Sequence, residues 1–141
     1  MTGQGIYTYP DGCHYDGGWV SGKRHGDGIY TWTNGSTYIG KWKNDTKRGH
    51  GILTQSNGGK YDGEWNGGRK HGRGIYTYPD GRKYDGDWVK GKKLGHGIYT
   101  YPDVLKYCGD WKDDQMHGKG FLKYLDGEKY DGDWVKGIKH G

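Results

Sequence analysis

A single period governs the chain: Tyr15, Tyr38, Tyr61, Tyr84, Tyr107 and Tyr130 follow one another at intervals of 23 residues, and the interval never slips. Each tyrosine opens the pattern Tyr-x-Gly-x-Trp, with Gly17, Gly40, Gly63, Gly86, Gly109 and Gly132 at its centre and Trp19, Trp42, Trp65, Trp88, Trp111 and Trp134 at its close. A Gly-x-Gly step followed by an apolar residue comes later in the unit, from Gly26 to Ile29, Gly49 to Ile52, Gly72 to Ile75, Gly95 to Ile98 and Gly118 to Phe121. Turn signals then separate the units: Pro10-Asp11-Gly12, Asn34-Gly35, Asn57-Gly58, Pro79-Asp80-Gly81, Pro102-Asp103-Val104 and Asp126-Gly127. A unit this short cannot close a core alone, so stacked neighbours must share one.

The runs between turns are rich in Tyr, Trp, Ile and Thr, which favour strands. Only 30% of the 141 residues are apolar, too few for an ordinary two-layer globule, and Ala, Leu and Met are too scarce for a helical bundle. Each unit supplies one strand around Tyr-x-Gly-x-Trp and a second around Ile-Tyr-Thr-Tyr, joined by connections too short for anything but antiparallel neighbours. The expected fold is all-β: a single elongated, twisted antiparallel sheet, a meander of hairpins with no helices. About a dozen strands at roughly 4.8 Å each give a sheet on the order of 55 Å long, which twist should coil into an open trough. The array runs over 1–141, as a partial unit 1–14, full units 15–37, 38–60, 61–83, 84–106 and 107–129, and a partial unit 130–141.

Strand alternation places the first Tyr, the Gly and the Trp on one face. The expected register sets Trp88 opposite Gly97, Gly86 opposite Tyr99 and Tyr84 opposite Tyr101. An odd-length unit would flip its aromatics at every repeat, and a Pro-Asp-Gly type I turn with a glycine bulge restores parity. Asp62, Glu64, Asp85, Asp87, Asp131 and Asp133 alternate onto the opposite face with Ile and Thr, which predicts an acidic, wet surface there. The loops after Trp carry Lys23-Arg24, Lys47-Arg48, Arg69-Lys70, Lys92-Lys93 and, near the end, Lys139 along one edge, a basic rail with a spacing of about 10 Å. Gln115-Met116 interrupts it.

Catalytic chemistry has no unique location in such a repeat, and no catalytic residue, metal site or cofactor is expected. His25, His71, His117 and His140 recur once per unit, roughly 10 Å apart or more, whereas zinc needs ligands about 2 Å from one ion. Gly17 to Lys23 and Gly86 to Lys92 fit the start of a phosphate-binding loop, but Arg24 and Lys93 replace the required Ser or Thr. Cys13 and Cys108 lie about four repeats apart, far beyond the roughly 7 Å reach of a disulfide, and are read as free thiols. No run approaches the roughly 20 apolar residues of a membrane span, so a cytoplasmic chain is expected. The net charge of +5 mixes 22 basic with 17 acidic residues, which makes nucleic acid an unlikely partner.

The unit Tyr-x-Gly-x-Trp-x-x-Gly-x-x-His-Gly-x-Gly, seen best from Tyr61 to Gly74, closely resembles the MORN repeat, and the resemblance covers nearly the whole chain. Departures are Arg48 and Leu94 in place of His, Asp45 and Asp114 in place of Gly, and Val104 in place of a turn Gly. The resemblance implies an interaction module: such repeats accompany junctional membrane proteins, phosphoinositide kinases and a histone methyltransferase, and build ciliary radial-spoke and parasite cytoskeletal proteins. With no attached enzyme here, the expectation is a non-enzymatic scaffold that binds a peptide or helix in the aromatic trough, in a cytoskeletal or ciliary assembly. The partner-binding face is then Tyr38, Trp42, Tyr61, Trp65, Tyr84, Trp88, Tyr107 and Trp111. The alternative is association with anionic phospholipid through Lys23, Arg24, Lys47, Arg48, Arg69, Lys70, Lys92 and Lys93. Strands around Ile6 to Tyr9 and Tyr130 to Trp134 lack partners in the repeat pattern, which points to further repeats or an end-to-end homo-oligomer.

Overall fold

A computed structural model of the chain describes residues 2–102, 105–124, 129–135 and 138–140. The strands are β1 (Gly3–Thr8), β2 (His14–Val20), β3 (Lys23–Thr31), β4 (Thr37–Lys43), β5 (Thr46–Thr54), β6 (Lys60–Asn66) and β7 (Arg69–Thr77). They continue with β8 (Lys83–Val89), β9 (Lys92–Tyr101), β10 (Leu105–Lys112), β11 (Gln115–Tyr124), β12 (Lys129–Val135) and β13 (Ile138–His140). Together they form one 13-stranded sheet in strict sequence order, each neighbouring pair antiparallel. The sheet is open and contains no helix among the described residues. Because β13 pairs with β12, the Tyr130 to Trp134 strand is not the outermost one, contrary to the repeat-based expectation.

Two kinds of hairpin alternate. After Trp19, Trp42, Trp65, Trp88 and Trp111 comes a two-residue turn whose central residues are both left-handed, as at Asn44 (φ 49) and Asp45 (φ 69) or Lys90 (φ 51) and Gly91 (φ 84). This mirror-image turn matches the twist of its strands. The other connection is the parity device: Gly81 donates its N–H to the Tyr78 carbonyl (3.0 Å), Tyr78 donates to the Arg82 carbonyl (2.8 Å), and Gly81 takes φ 94. That is a type I turn closed by a glycine bulge. The corresponding turn residues Asp103 and Val104 lie outside the described residues.

The expected register needs correction. Tyr84 faces Tyr99, Gly86 faces Gly97, and Trp88 faces Lys93. The tight turn at Lys90 and Gly91 draws the strands together earlier than a longer loop would, and a bulge centred on Gly95 (φ 88) then takes up the extra residues of β9, between Lys93 and Gly97, opposite Asp87. The same shift recurs between Gly17 and Trp19, Gly40 and Trp42, Gly63 and Trp65, and Gly109 and Trp111. Glycine meets glycine because a ring lies across the pair: a Cβ at Gly97 would collide with the Tyr84 ring.

With no second layer, the sheet builds its core from rings. Tyr15, Tyr38, Tyr61, Tyr84 and Tyr107 are wholly buried. Each is wedged edge-on between two tryptophans, giving an unbroken chain from Trp19 to Trp134 with centroids 5.0–5.5 Å apart. Edge-to-face packing suits the ring quadrupoles, and most of the polar ends find partners, the buried Trp42 indole N–H being an exception among the described residues. The Tyr61 hydroxyl donates to the Glu64 carbonyl (2.8 Å), and the Trp65 and Trp88 indoles donate to the Gly51 and Gly74 carbonyls (3.1 Å each).

The opposite face is not acidic. One row across it reads Ile6, Asp16, Ile29, Ile39, Ile52, Asp62, Ile75, Asp85, Ile98, Cys108 and Phe121, mostly apolar and partly exposed. Several acids in and beside this row are met by cations or histidine: Lys41 and Asp27 (2.8 Å), His50 and Asp62 (2.7 Å), Arg73 and Asp85 (3.5 Å). The side chains of Asp131 and Asp133 lie outside the described residues.

Candidate functional site

The aromatic residues expected to meet a partner lie beneath the surface. Tyr38, Tyr61, Tyr84 and Tyr107 are 0% exposed, and Trp42, Trp65, Trp88 and Trp111 are 4–6% exposed. They are the core, because each ring is covered by its neighbours along the array. What reaches solvent above them comes from the return strands: Tyr9, Tyr30, Trp32, Leu53, Tyr76 and Tyr99 pack half-buried on the core. The sequence does not distinguish this second set from the first, because both alternate onto the same face; register alone separates them.

The basic rail is split in two. In four hairpins the residue opposite the Trp is a cation turned into the trough: Arg24 faces Trp19, Lys47 faces Trp42, Lys70 faces Trp65 and Lys93 faces Trp88. Their neighbours Lys23, Arg48, Arg69 and Lys92 remain exposed. The Arg24 guanidinium sits 4.6 Å from the Trp42 ring, and the Lys47 ammonium 5.3 Å from Trp32 and 5.6 Å from Trp65. Lys70 lies 5.1 Å from Tyr76, and Lys93 lies 5.4 Å from Tyr84. Rings attract these cations through their negative faces. Burial nonetheless lowers the pKa of Lys47, Lys70 and Lys93 by penalising the charged form.

Wells recur along this face. One of about 420 Å³ is lined by Tyr7, Tyr9, Trp19, Arg24 and Asp45. The next, about 250 Å³, lies among Arg24, Tyr30, Trp32, Trp42 and Lys47, and a third, about 310 Å³, among Trp32, Lys47, Leu53, Trp65 and Lys70. Further along, the protein fills the space itself: Lys93 Nζ donates to the Tyr78 hydroxyl (2.7 Å), and Arg82 lies 4.6 Å from the Tyr78 ring.

Two departures from the repeat pattern acquire a role here. Arg24 donates its backbone N–H (2.8 Å) and its Nε (3.2 Å) to Asp45 Oδ1 in the next turn, and Asp45 N–H donates back to the Arg24 carbonyl (3.0 Å). Lys93 N–H likewise donates to Asp114 Oδ1 (2.8 Å), with Lys93 Nζ 3.9 Å from the same carboxylate. At the equivalent places stand Gly68 and Gly91, whose N–H groups donate to the Lys47 and Lys70 carbonyls (3.1 and 2.9 Å) but which bring no carboxylate. Among the described residues no acid lies within 4.0 Å of Lys47 or Lys70 Nζ. Nor do three His, Cys, Asp or Glu side chains converge on a point among those residues, and Cys13 and Cys108 are both free.

A one-dimensional array whose units share a ring core and present one continuous face is a repeat protein of the solenoid kind. The MORN repeat profile matches residues 1–14, 15–37, 38–60, 61–81, 84–103, 107–129 and 130–141, so the chain belongs to the MORN-repeat family. Among solved structures it is similar to the SAS-4 (dCPAP) TCP domain of Drosophila melanogaster, determined in complex with a proline-rich motif of Ana2 (dSTIL). The TM-score is 0.53 with 14% identity, covering 89% of this chain and 69% of that one. At that identity the likeness is one of fold. No curated protein matches the chain.

Proposed function

We infer that the chain is a non-enzymatic scaffold whose ring-lined face binds an extended protein segment, in a cytoplasmic assembly of the cytoskeletal or ciliary kind that the family resemblance implies. The observation that carries this reading is the succession of wells over Trp19, Trp42 and Trp65, each walled by half-exposed rings. Successive wells are two strands apart, about 10 Å. A polyproline II segment repeats every three residues, about 9.3 Å, so side chains at every third position fall into successive wells without bending the peptide. The proline-rich motif on the SAS-4 domain is a precedent on a similar fold, not a property of this chain.

The test uses fluorescence anisotropy of a labelled peptide with proline at every third position. Trp32, which lines two adjacent wells, is the diagnostic residue. Trp32→Ala is expected to weaken binding at least about tenfold, since interface tryptophans are common hot spots. The thermal midpoint should change little. Undiminished affinity in that variant overturns the trough as the binding face.

A second reading rests on Lys23, Arg48, Arg69 and Lys92, which stay exposed, Arg69 at the rim of a trough well. Each basic residue near an anionic leaflet contributes about 1 kcal/mol. Sedimentation with phosphoinositide vesicles at low salt tests it, and absence of co-sedimentation removes it.

A further inference from the structure

We propose that the well between Lys47 and Lys70 is an acidic-residue receptor, which takes two carboxylates spaced three residues apart on the bound segment. The proposal rests on the trough reading above and adds the chemistry of its ligand. The observations are internal to the array. Four trough-facing cations occupy equivalent positions, and the two flanking ones, Arg24 and Lys93, already have a carboxylate from the following turn, Asp45 and Asp114. The two central ones have Gly68 and Gly91 there instead, and both glycines line the same 310 Å³ well as Lys47 and Lys70. Nothing lies within 4 Å of a Cβ placed at Gly68 or Gly91, so the space that an Asp side chain takes in the flanking units is open.

Energetics favour an external anion at this place. Lys47 and Lys70 have given up water for ring faces with no carboxylate within 4.0 Å among the described residues, Asp114 acting on Lys70 only from farther off, and a half-buried ammonium without an adjacent counter-ion gains more from an arriving carboxylate than an exposed one does. Lys47 and Lys70 are one unit apart, about 10 Å, and three residues of an extended segment span roughly the same distance. A Glu-x-x-Glu pair therefore reaches both. Arg69, on the rim of the same well, adds to the positive field.

Two labelled proline-rich peptides that differ only as Glu-x-x-Glu against Gln-x-x-Gln provide the measurement, titrated by anisotropy at low salt. The Glu form is expected to bind about tenfold tighter, with an advantage that fades as salt rises. The decisive variant is Gly68→Asp with Gly91→Asp, which supplies the carboxylates from within. Asp is accommodated at this turn position, since Asp45 and Asp114 hold φ 69 and 68 where Gly68 and Gly91 hold 81 and 84. In that variant the Glu advantage should vanish while the Gln peptide binds as before. Lys47→Gln with Lys70→Gln should do the same. Equal binding of the two peptides to the wild-type chain, or an advantage that survives Gly68→Asp with Gly91→Asp, overturns the receptor and leaves the trough reading standing. Binding of neither peptide overturns both. Phosphoinositide vesicles that bind the wild type and are released by the same Asp variant would transfer the site to lipid headgroups and overturn the peptide assignment.

Discussion

Tyr61 condenses the residue-scale logic of the fold. Its ring fills the space over Gly63 and Gly74, its edges meet Trp65 and Trp88, and its hydroxyl returns to the Glu64 carbonyl at 2.8 Å. Tyr61→Phe keeps the packing and removes a part-buried hydrogen bond to the Glu64 carbonyl, so a loss of about 1 kcal/mol in urea denaturation is expected. A neutral result would mean that water replaces the hydroxyl. Burial also raises the pKa of these tyrosines, to about 12 at Tyr15, Tyr30 and Tyr107, and upward at Tyr38, Tyr61 and Tyr84. An unfolded tyrosine releases its proton near about pH 10, so as pH rises from there the unfolded chain sheds protons that the folded chain keeps. Their stabilising contribution is thus complete below that point and lost on the way up through the folded values. Lys47, Lys70 and Lys93, with lowered pKa, act the other way and gain stability as pH approaches the ordinary lysine value, but the raised tyrosines outnumber them. The thermal midpoint should therefore drop steeply between about pH 10 and about pH 12, and a flat profile there would contradict buried phenols. At this scale the sequence shows which residues matter, since Tyr, Gly and Trp repeat without fail. It hides which of two tyrosines per unit is buried.

Elements were more legible than the contacts between them. Turn residues such as Asn34-Gly35 and Pro79-Asp80-Gly81 announce hairpins through the backbone conformations that they alone tolerate, and strands fill the intervals. The bulge at Gly95 was not legible, because a Gly-x-Gly step does not say which glycine is left-handed and which lies under a ring. The two kinds of glycine predict different mutational behaviour. Gly74 lies against the Tyr61 ring, so Gly74→Ala must displace a buried aromatic, and a loss of about 1–3 kcal/mol or more is expected. Gly68 has open space around it but φ 81, so Gly68→Ala should cost only the left-handed strain, about 1 kcal/mol. Chemical denaturation of both variants checks the order; reversed costs would place the Tyr61 ring elsewhere. The candidate site was half-legible for a related reason. The cations in the loops were evident, but whether each enters the trough depends on the two-residue turn, which seats one residue of each pair opposite a Trp. The roles of Asp45 and Asp114 were visible only as departures from a pattern.

Across the whole molecule, stability should follow position in the ring chain. Trp65 lies between Tyr38 (5.5 Å) and Tyr61 (5.0 Å), whereas Trp19 has Tyr15 at 5.0 Å and, on the other side, only the partly exposed Tyr7 at 6.2 Å. Trp65→Ala is expected to cost about 3–5 kcal/mol and Trp19→Ala less, because neighbours on both sides must give up contacts in one case and mainly on one side in the other. Equal losses in parallel melts would argue against nearest-neighbour coupling. The overall shape followed from the period: an unvarying unit with two strands and no surplus apolar residues leaves little choice but a long open sheet. An open sheet has edges, and β1 pairs with β2 on one side alone. The β1 segment reads Gly-Gln-Gly-Ile-Tyr-Thr, without charge or proline to discourage pairing, and Ile6 is 70% exposed. Such an edge is a template for another strand, whether from a further repeat or a second molecule. Purified chain should therefore show a weight-average mass in light scattering that rises with concentration. Ile6→Lys, which sets a charge on the exposed edge without touching the ring core, should abolish the rise while the melting midpoint stays within about 1 kcal/mol of equivalent stability. A mass that stays at 16.0 kDa across the series, with the β1 amides protected from hydrogen exchange, would mean that the edge is blunted by its own twist and needs no partner.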